Sequence, residues 1–524
     1  IQVGNVTRTV ASYSYDDIGR LVSVNRSGNA GSVHYAYNIR NWLKETKSDR
    51  FKQNLYYEST KENPCFNGNI SRMQWQSSKD NVLRGYDFTY DGLNRLEESI
   101  YGEGADMSQS KNHYSENVLS YSPNGSIERL QRYGKKNNGT FGLIDDLTYA
   151  YNGNQIKSIS DKAGSLLYDG SFDFKDGADA DVEYFYDANG ALVKDLNKGI
   201  CNIEYDVLGN LKCITFNNGF KTKYVYDAAG NKLRTTHESA VTNTTDYIGN
   251  FIFEDGKLDK YLFDGGYCSF DNSQNPTFHY YEKDHLGSVR MVVNENGTIE
   301  QVNHYYPFGG VYGDLSYNAE LQRNKYVGKE FDHMYGLDWY DHGARMYDAA
   351  RLAWDRMEPL YDKYYPLNTY LYSGNNPINS IDDDGNRIIV WYKDKIGNDQ
   401  SFVFTGQETK ELPQNQFVRD FIQAYFYNIN NGGGKAMLEA AKSQVDFNLF
   451  NALDLKENES YYQNNGRKDK YVVWQSRQGL LLSNGDKQSA ATILEHEFAH
   501  YVDDVLNHKN HKEREQTKDY QYDN

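Results

Sequence analysis

The chain has 524 residues and a formal charge of −17, with 47 Tyr and 44 Gly but only 8 Pro. Residues 387–524 carry 17 Lys and Arg against 20 Asp and Glu, a net of −3 that leaves −14 for residues 1–386; neither part is basic, which argues against a nucleic-acid partner bound by phosphate neutralisation. The 24 Phe and 6 Trp supply too much apolar surface for global disorder, and no apolar run approaches the ~18 residues of a membrane-spanning helix, so no membrane-spanning segment is expected.

The chain opens on Ile1-Gln2 rather than Met and reads as a piece of a longer protein. One phrase then recurs. It appears as Tyr13-Ser-Tyr15-Asp16-Asp-Ile-Gly19-Arg-Leu21, as Phe88-Thr-Tyr90-Asp91-Gly-Leu-Asn94-Arg-Leu96, and as Tyr184-Phe-Tyr186-Asp187-Ala-Asn-Gly190-Ala-Leu192. Ile203-Glu-Tyr205-Asp206 and Tyr224-Val-Tyr226-Asp227 repeat it, and Tyr35-Ala-Tyr37-Asn38 and Tyr149-Ala-Tyr151-Asn152 are shorter copies. The second aromatics are 22 residues apart from Tyr15 to Tyr37, 19 from Tyr186 to Tyr205 and 21 from Tyr205 to Tyr226. Aromatics at i and i+2 share one face of a strand. The following Asp or Asn opens a turn through its own backbone, Gly supplies positive φ, and Leu resumes the strand. Each unit is expected to be a β-hairpin, and lone hairpins are marginal, so the units must stack into an extended sheet. The Tyr pairs are read as sheet-packing residues rather than a carbohydrate-stacking face. The four cysteines, Cys65, Cys201, Cys213 and Cys268, lack C-x-x-C spacing and form neither a zinc ribbon nor a disulfide framework.

On these phrases residues 1–386 resemble the RHS/YD-repeat proteins. Further on, Asp284-His285-Leu286-Gly287-Ser288-Val289-Arg290, Tyr326-Val-Gly328-Lys329-Glu330, Gly343-Ala-Arg345-Met-Tyr347-Asp348 and Tyr370-Leu-Tyr372-Ser-Gly-Asn375-Asn376-Pro377 resemble the RHS repeat-associated core segment. The resemblance implies a mainly β fold: YD hairpins wound into a hollow shell over 1–278, a core segment plugging it over 279–386, and a variable C-terminal domain over 387–524. It also implies self-cleavage at the junction in many members, at a D-P-x-G-L motif. Here that stretch is Asp382-Asp383-Asp384-Gly385-Asn386, so Asp382 and Asp384 are the candidates. Clustered carboxylates can supply an acid beside a base, but an Asp-Asp-Asp-Gly turn is also good turn chemistry by itself. His285, His304, His333 and His342 sit in the core-segment motifs and are read as structural.

After Gly385 the phrase does not return. Ile388–Tyr392 and Phe402–Phe404 read as strands, 416–428 and 435–443 as helices, and Tyr471–Gln475 and Leu480–Leu482 as strands around a turn. Asp486 or Ser489 can cap a helix over 490–506. Its apolar stripe is Leu494, Phe498, Tyr501 and Val505. On a neighbouring face lies His496-Glu497-Phe498-Ala499-His500, an H-E-x-x-H pattern. Two imidazoles one turn apart can reach one zinc ion, with Glu497 placed as general base. This segment resembles the zincin peptidases, so a small α+β zincin-like domain is expected, with its C-terminal end potentially truncated. A third ligand is required. Glu513 or Glu515 are the visible candidates, and Asp504 is better placed behind the ligands than on the metal.

The leading expectation is a secreted or cell-surface bacterial toxin: a YD-repeat shell around a zinc metallopeptidase effector. The resemblance implies a target-cell protein substrate, a cognate immunity protein and an export or delivery apparatus. The alternative is a non-enzymatic surface or adhesion protein of the same repeat class. A nuclease is disfavoured by the near-neutral C-terminal segment.

Overall fold

The computed structural model describes residues 2–382 except 4–5, 8, 18, 59–62, 169–170, 229, 272–274, 313–314 and 359–366. Beyond these it describes 388–393, 399–404, 418, 421–422, 447–451, 461–464, 470–474, 480–481, 487–488, 494 and 498. The chain divides into two compact units, Ile1–Asp382 and Asp383–Asn524. The sequence reading puts that division at 386/387.

In the first unit the hairpins pair as successive antiparallel neighbours. A 12-stranded sheet runs from Ala11–Tyr15 to Gln155–Asp161, and a 13-stranded sheet from Tyr184–Tyr186 to Ile299–Val302. The 278/279 division falls inside the strand Pro276–Lys283, and the wall continues to Val302. The reason is local: Asp284 makes the same turn as the upstream repeats, with its Oδ1 accepting from the Leu286 and Ser288 amides.

Each repeat turn is built alike. In Asp206-Val-Leu-Gly209 the carboxylate accepts from the amides of Leu208 at 2.8 Å and Asn210 at 2.9 Å, and the Gly209 amide donates to the Asp206 carbonyl at 3.0 Å. The fourth position needs positive φ, and Gly190 shows a second demand. Its φ is +80°, and a Cβ there would stand 2.8 Å from Met357 and from the Tyr370 hydroxyl. A β-bulge precedes the second aromatic in several units, between Ala36 and Tyr37, Ala150 and Tyr151, and Glu204 and Tyr205. The extra residue is on the returning strand (Lys44, Lys157 and Lys212), where it adds local twist, and the tyrosine itself lies over the preceding repeat. There the tyrosine hydroxyl donates to a carbonyl at the start of the returning strand, or just before it at Ile70: Tyr37 to Leu21 at 2.9 Å, Tyr90 to Ile70 at 2.8 Å, Tyr151 to Ile127 at 2.7 Å and Tyr205 to Leu192 at 2.9 Å. The first aromatic of most pairs, such as Phe88, Tyr149, Tyr184 and Tyr224, is buried in the core.

The two sheets meet at both ends. Glu183, just before the second sheet, donates its amide to the Lys157 carbonyl of the first. At the other end Arg26 reaches Glu282 at 2.9 Å, and the Asn29 amide donates to the Glu295 carbonyl at 2.7 Å. Against the inner faces packs residues 302–378, including a four-stranded sheet of Glu330–Asp332, Trp339–Asp341, Met346–Asp348 and Ala353–Trp354. Trp339, Tyr340, Tyr347 and Trp354 share one apolar cluster with the wall residues Trp75, Tyr86, Leu130 and Ile203. Arg132 ties the layers together. It is wholly buried, pairs with Glu116 at 2.7 Å and Asp145 at 2.9 Å, and donates to the carbonyls of Ala349 and Ala350 at 3.1 Å. A buried cation needs that full complement of partners.

The second unit holds a five-stranded sheet in the order Asp399–Phe404, Ile388–Lys393, Phe447–Asn451, Lys470–Trp474, Tyr461–Asn464, with Phe447–Asn451 parallel to both neighbours. Val418, Phe421 and Ile422 are helical and buried, on the crossover that a parallel pair requires. The strands near 471–475 and 480–482 do not flank one hairpin turn. Lys470–Trp474 pairs with Phe447–Asn451 and Tyr461–Asn464, while Leu480–Leu481 pairs with Lys487–Gln488. Lys487–Gln488, where a helix capped by Asp486 would make its first turn, is extended. Leu494 and Phe498 are helical and fully buried. Among the described residues no helix is long and apolar enough to cross a membrane.

Candidate functional site

Two sites follow from the sequence, and the structure treats them differently. His496, Glu497, His500, Asp504, Glu513 and Glu515 lie outside the described residues, as does Asp384. Of the motif helix, Leu494 and Phe498 are described, one turn apart and both at 0% exposure. Among the described residues no group of three or more His, Cys, Asp or Glu is poised to hold a metal.

Asp382 is described and is buried. Its Oδ2 lies 2.7 Å from Arg345 Nη2, and Glu358 Oε2 lies 2.6 Å from the same nitrogen. One guanidinium nitrogen thus gathers two carboxylates from segments 24 residues apart, Glu358 and Asp382. The backbone carbonyl of Asp382 is 2.8 Å from His342 Nδ1. A carbonyl only accepts, so Nδ1 carries the proton. The His342 ring stands edge-on to Trp354 at 4.9 Å and Tyr372 at 5.8 Å. Burial there, with Lys329 and Arg345 adding to it, holds its pKa well below the ordinary imidazole range, so it is a neutral donor. Arg345 itself lies over the Trp354 ring at 4.2 Å.

Sequence reasoning reached Asp382 but missed Arg345 and Glu358 and read His342 as structural. Arg345 sits in the Gly343-Ala-Arg345 phrase, yet nothing local shows that its partner is 37 residues downstream. Two of the other core-segment histidines are bonded inside the fold, His304 Nδ1 accepting from Trp75 Nε1 at 3.1 Å and His285 Nε2 lying 2.9 Å from the Ile378 carbonyl, while His333 meets the exposed Glu320 at 2.9 Å.

The wall, its repeat turns and the packed segment decide the family. A family model described as the teneurin YD-shell matches residues 66–378, well over half of the chain. The chain belongs to that family. The YD-shell match ends four residues before Asp382 and leaves the second unit outside it. Over 103 residues the chain is 35% identical to salivary gland surface protein 1 of Aedes aegypti, covering 20% of this chain and 3% of that protein. Over 260 residues it is 26% identical to the tRNA3(Ser)-specific nuclease WapA of Bacillus spizizenii, covering 47% of this chain and 11% of that protein. The chain thus spans a small fraction of the length of either relative. Among solved structures, the crystal structure of TcdB2-TccC3 matches at 16% identity and a TM-score of 0.46, over 72% of this chain and 22% of that one.

Proposed function

We propose that this YD-shell chain is a toxin whose second unit is a zinc-dependent peptidase, delivered to a target cell and acting on a protein there. The observation that supports it most is the pair Leu494 and Phe498, helical and fully buried, the first two residues before the H-E-x-x-H motif and the second inside it. A helix of 3.6 residues per turn that buries 494 and 498 carries 496 and 500 about 200° round from them, together on the opposite side rather than on the neighbouring face expected from the sequence. Two imidazoles with a carboxylate from Glu513 or Glu515 form a donor set that suits zinc. When bound, zinc would polarise the substrate carbonyl and acidify a water. Glu497 takes the proton of the attacking water and returns it to the leaving amine as the C–N bond breaks. Asp504 orients a ligating imidazole. Secretion, an export apparatus and an immunity protein belong to the same proposal. The relative named a nuclease supports the pairing of such repeats with an enzyme, and the one named a surface protein supports the non-enzymatic alternative. Zinc analysis of the full chain separates them: about one zinc per chain, lost in His496→Ala, is the expected result, and a zinc-free wild type defeats the peptidase.

A second reading, self-cleavage at the junction, is favoured by the convergence of Glu358 and Asp382 on Arg345 and by the hydrogen bond from His342 to the Asp382 carbonyl. Intact-mass analysis of the purified chain tests it. Two fragments that disappear in Asp382→Asn are expected, and a single uncut mass over days defeats it.

A further inference from the structure

Away from the junction, a cavity of about 250 Å³ lies between the loop 171–175, the residues around Asp195 on the wall and the segment around Arg351. Its lining contains buried polar atoms that make no hydrogen bond: Nη1 and Nη2 of the buried Arg351, Oδ2 of the buried Asp195, and the hydroxyl of the half-buried Tyr335. Arg351 is 1% exposed and Asp195 is 0% exposed. A buried donor or acceptor left unmade costs about 1–3 kcal/mol, and more when charged. Three such residues around one cavity mark a place built for a guest.

The charges specify the guest. Arg351 Nε pairs with Asp348 Oδ2 at 3.0 Å, and Lys198 Nζ lies 3.7 Å from the same oxygen. The Lys198 amide donates to Asp195 Oδ1 at 3.0 Å. Two cations, Arg351 and Lys198, thus face the carboxyls of Asp348 and Asp195; burial pushes Asp195 up, and both cations draw it back towards its charged form. Lys175 pairs with Asp173, and burial pushes the Asp338 carboxyl towards its neutral form. A balanced site has no preference for a net anion or cation. It favours a molecule that presents an acceptor to the guanidinium and a donor to the carboxylate. Phe172, Phe174 and Tyr184 supply an apolar wall, with Arg351 stacked 5.2 Å over the Tyr184 ring.

We propose that this cavity binds a zwitterionic α-amino acid with an apolar side chain, its carboxylate on Arg351, its ammonium on Asp195 and its side chain against the aromatic wall. At about 250 Å³ the cavity is below the usual range of ligand sites, which run from about 300 Å³ upward, and that size fits a single amino acid. Because Asp195 belongs to the wall and Arg351 to the packed segment, the ligand would pin one to the other.

Calorimetric titration of the full chain with L-valine, L-leucine and L-phenylalanine tests this. Saturable binding of at least one is expected, weakened roughly tenfold or more when the carboxylate is replaced by an amide or the amine is acetylated. Asp195→Asn keeps the oxygen that accepts from Lys198, and Arg351→Lys keeps a cation for Asp348, so both variants should fold, with unfolding curves as the check. Each is expected to weaken binding by roughly tenfold or more. No saturable binding of any of the three at millimolar concentration, or binding indifferent to both variants and both modified ligands, overturns the proposal and leaves a cavity that holds ordered water only.

Discussion

The Tyr151 hydroxyl donates to the Ile127 carbonyl at 2.7 Å, joining one repeat to the one before it. The same bond at Tyr37, Tyr90 and Tyr205 makes it a property of the repeat. Tyr151→Phe keeps the ring but strips the donor and leaves the Ile127 carbonyl without it. A loss of about 1 kcal/mol is expected from a single neutral hydrogen bond. Tyr15, in the first repeat, is 61% exposed and makes no such bond, so Tyr15→Phe should change stability by less than about 0.5 kcal/mol. Denaturant melts of the two variants check the contrast, and equal losses would mean that the bond is not what the tyrosine supplies.

Lys232 is, beside Arg132, an electrostatic link between the wall and the packed segment. Its Nζ lies 2.7 Å from Glu330 and 2.6 Å from Asp341, which face each other directly across adjacent strands. Burial alone would lower the Lys232 pKa, but Asp341 and Glu330 outweigh it and hold the ammonium charged. Glu330 is likewise pushed up by burial, yet Lys232 and Arg323 bring it to about 2. Removing the cation leaves two carboxylates opposed in a buried site. Lys232→Met should cost about 3–5 kcal/mol, with part of the loss recovered in the double variant Lys232→Met, Asp341→Asn. A thermal melt of the three proteins reads this directly.

The parts of the fold that were legible in the sequence are those fixed by neighbours in the chain. Asp206 satisfies the amides of Leu208 and Asn210 within its own turn, so the Tyr-Asp phrase announces a hairpin without knowledge of anything else. The bond from Tyr205 to Leu192 depends on the adjacent repeat and leaves no local sign. Arg132 and Arg345 are further cases, since each earns its meaning from partners far along the chain, Ala349 and Asp382. In the second unit the stripe of Leu494 and Phe498 showed through its spacing. The strand Phe447–Asn451 did not, because a short apolar strand paired in parallel on both sides has no turn signal to mark it.

Asp161 gives a pH dependence with a definite sign. Burial raises its carboxyl, against the pull of hydrogen bonds from the Asp146 and Ala163 amides, to about 6. The folded state then holds a proton that the unfolded state has released between pH ~4 and pH ~6. Stability from this group is therefore greatest below pH ~4 and falls as pH rises through about 6. Asp161→Asn keeps the accepting oxygen and removes the charge. After allowance for solvent screening at this half-buried site, a gain on the order of 1–2 kcal/mol is expected at pH 8 and none at pH 4. Melts at the two pH values check it, and a gain of equal size at both would show that ionisation is not the cause.

The proposed peptidase separates binding from chemistry. Glu497→Gln replaces the base but leaves both imidazoles, so zinc content should stay near that of the wild type while toxicity on expression in cells falls by roughly 100-fold or more, as for loss of a general base. His496→Ala should lose both together. The paired outcome distinguishes the proposal from a structural metal site, in which Glu497→Gln would leave the cellular effect intact, and from a surface protein, in which neither substitution would alter metal content because the wild type would bind none. A fully toxic, zinc-loaded Glu497→Gln chain would move the activity to some other residue of the second unit and end Glu497's role as the base.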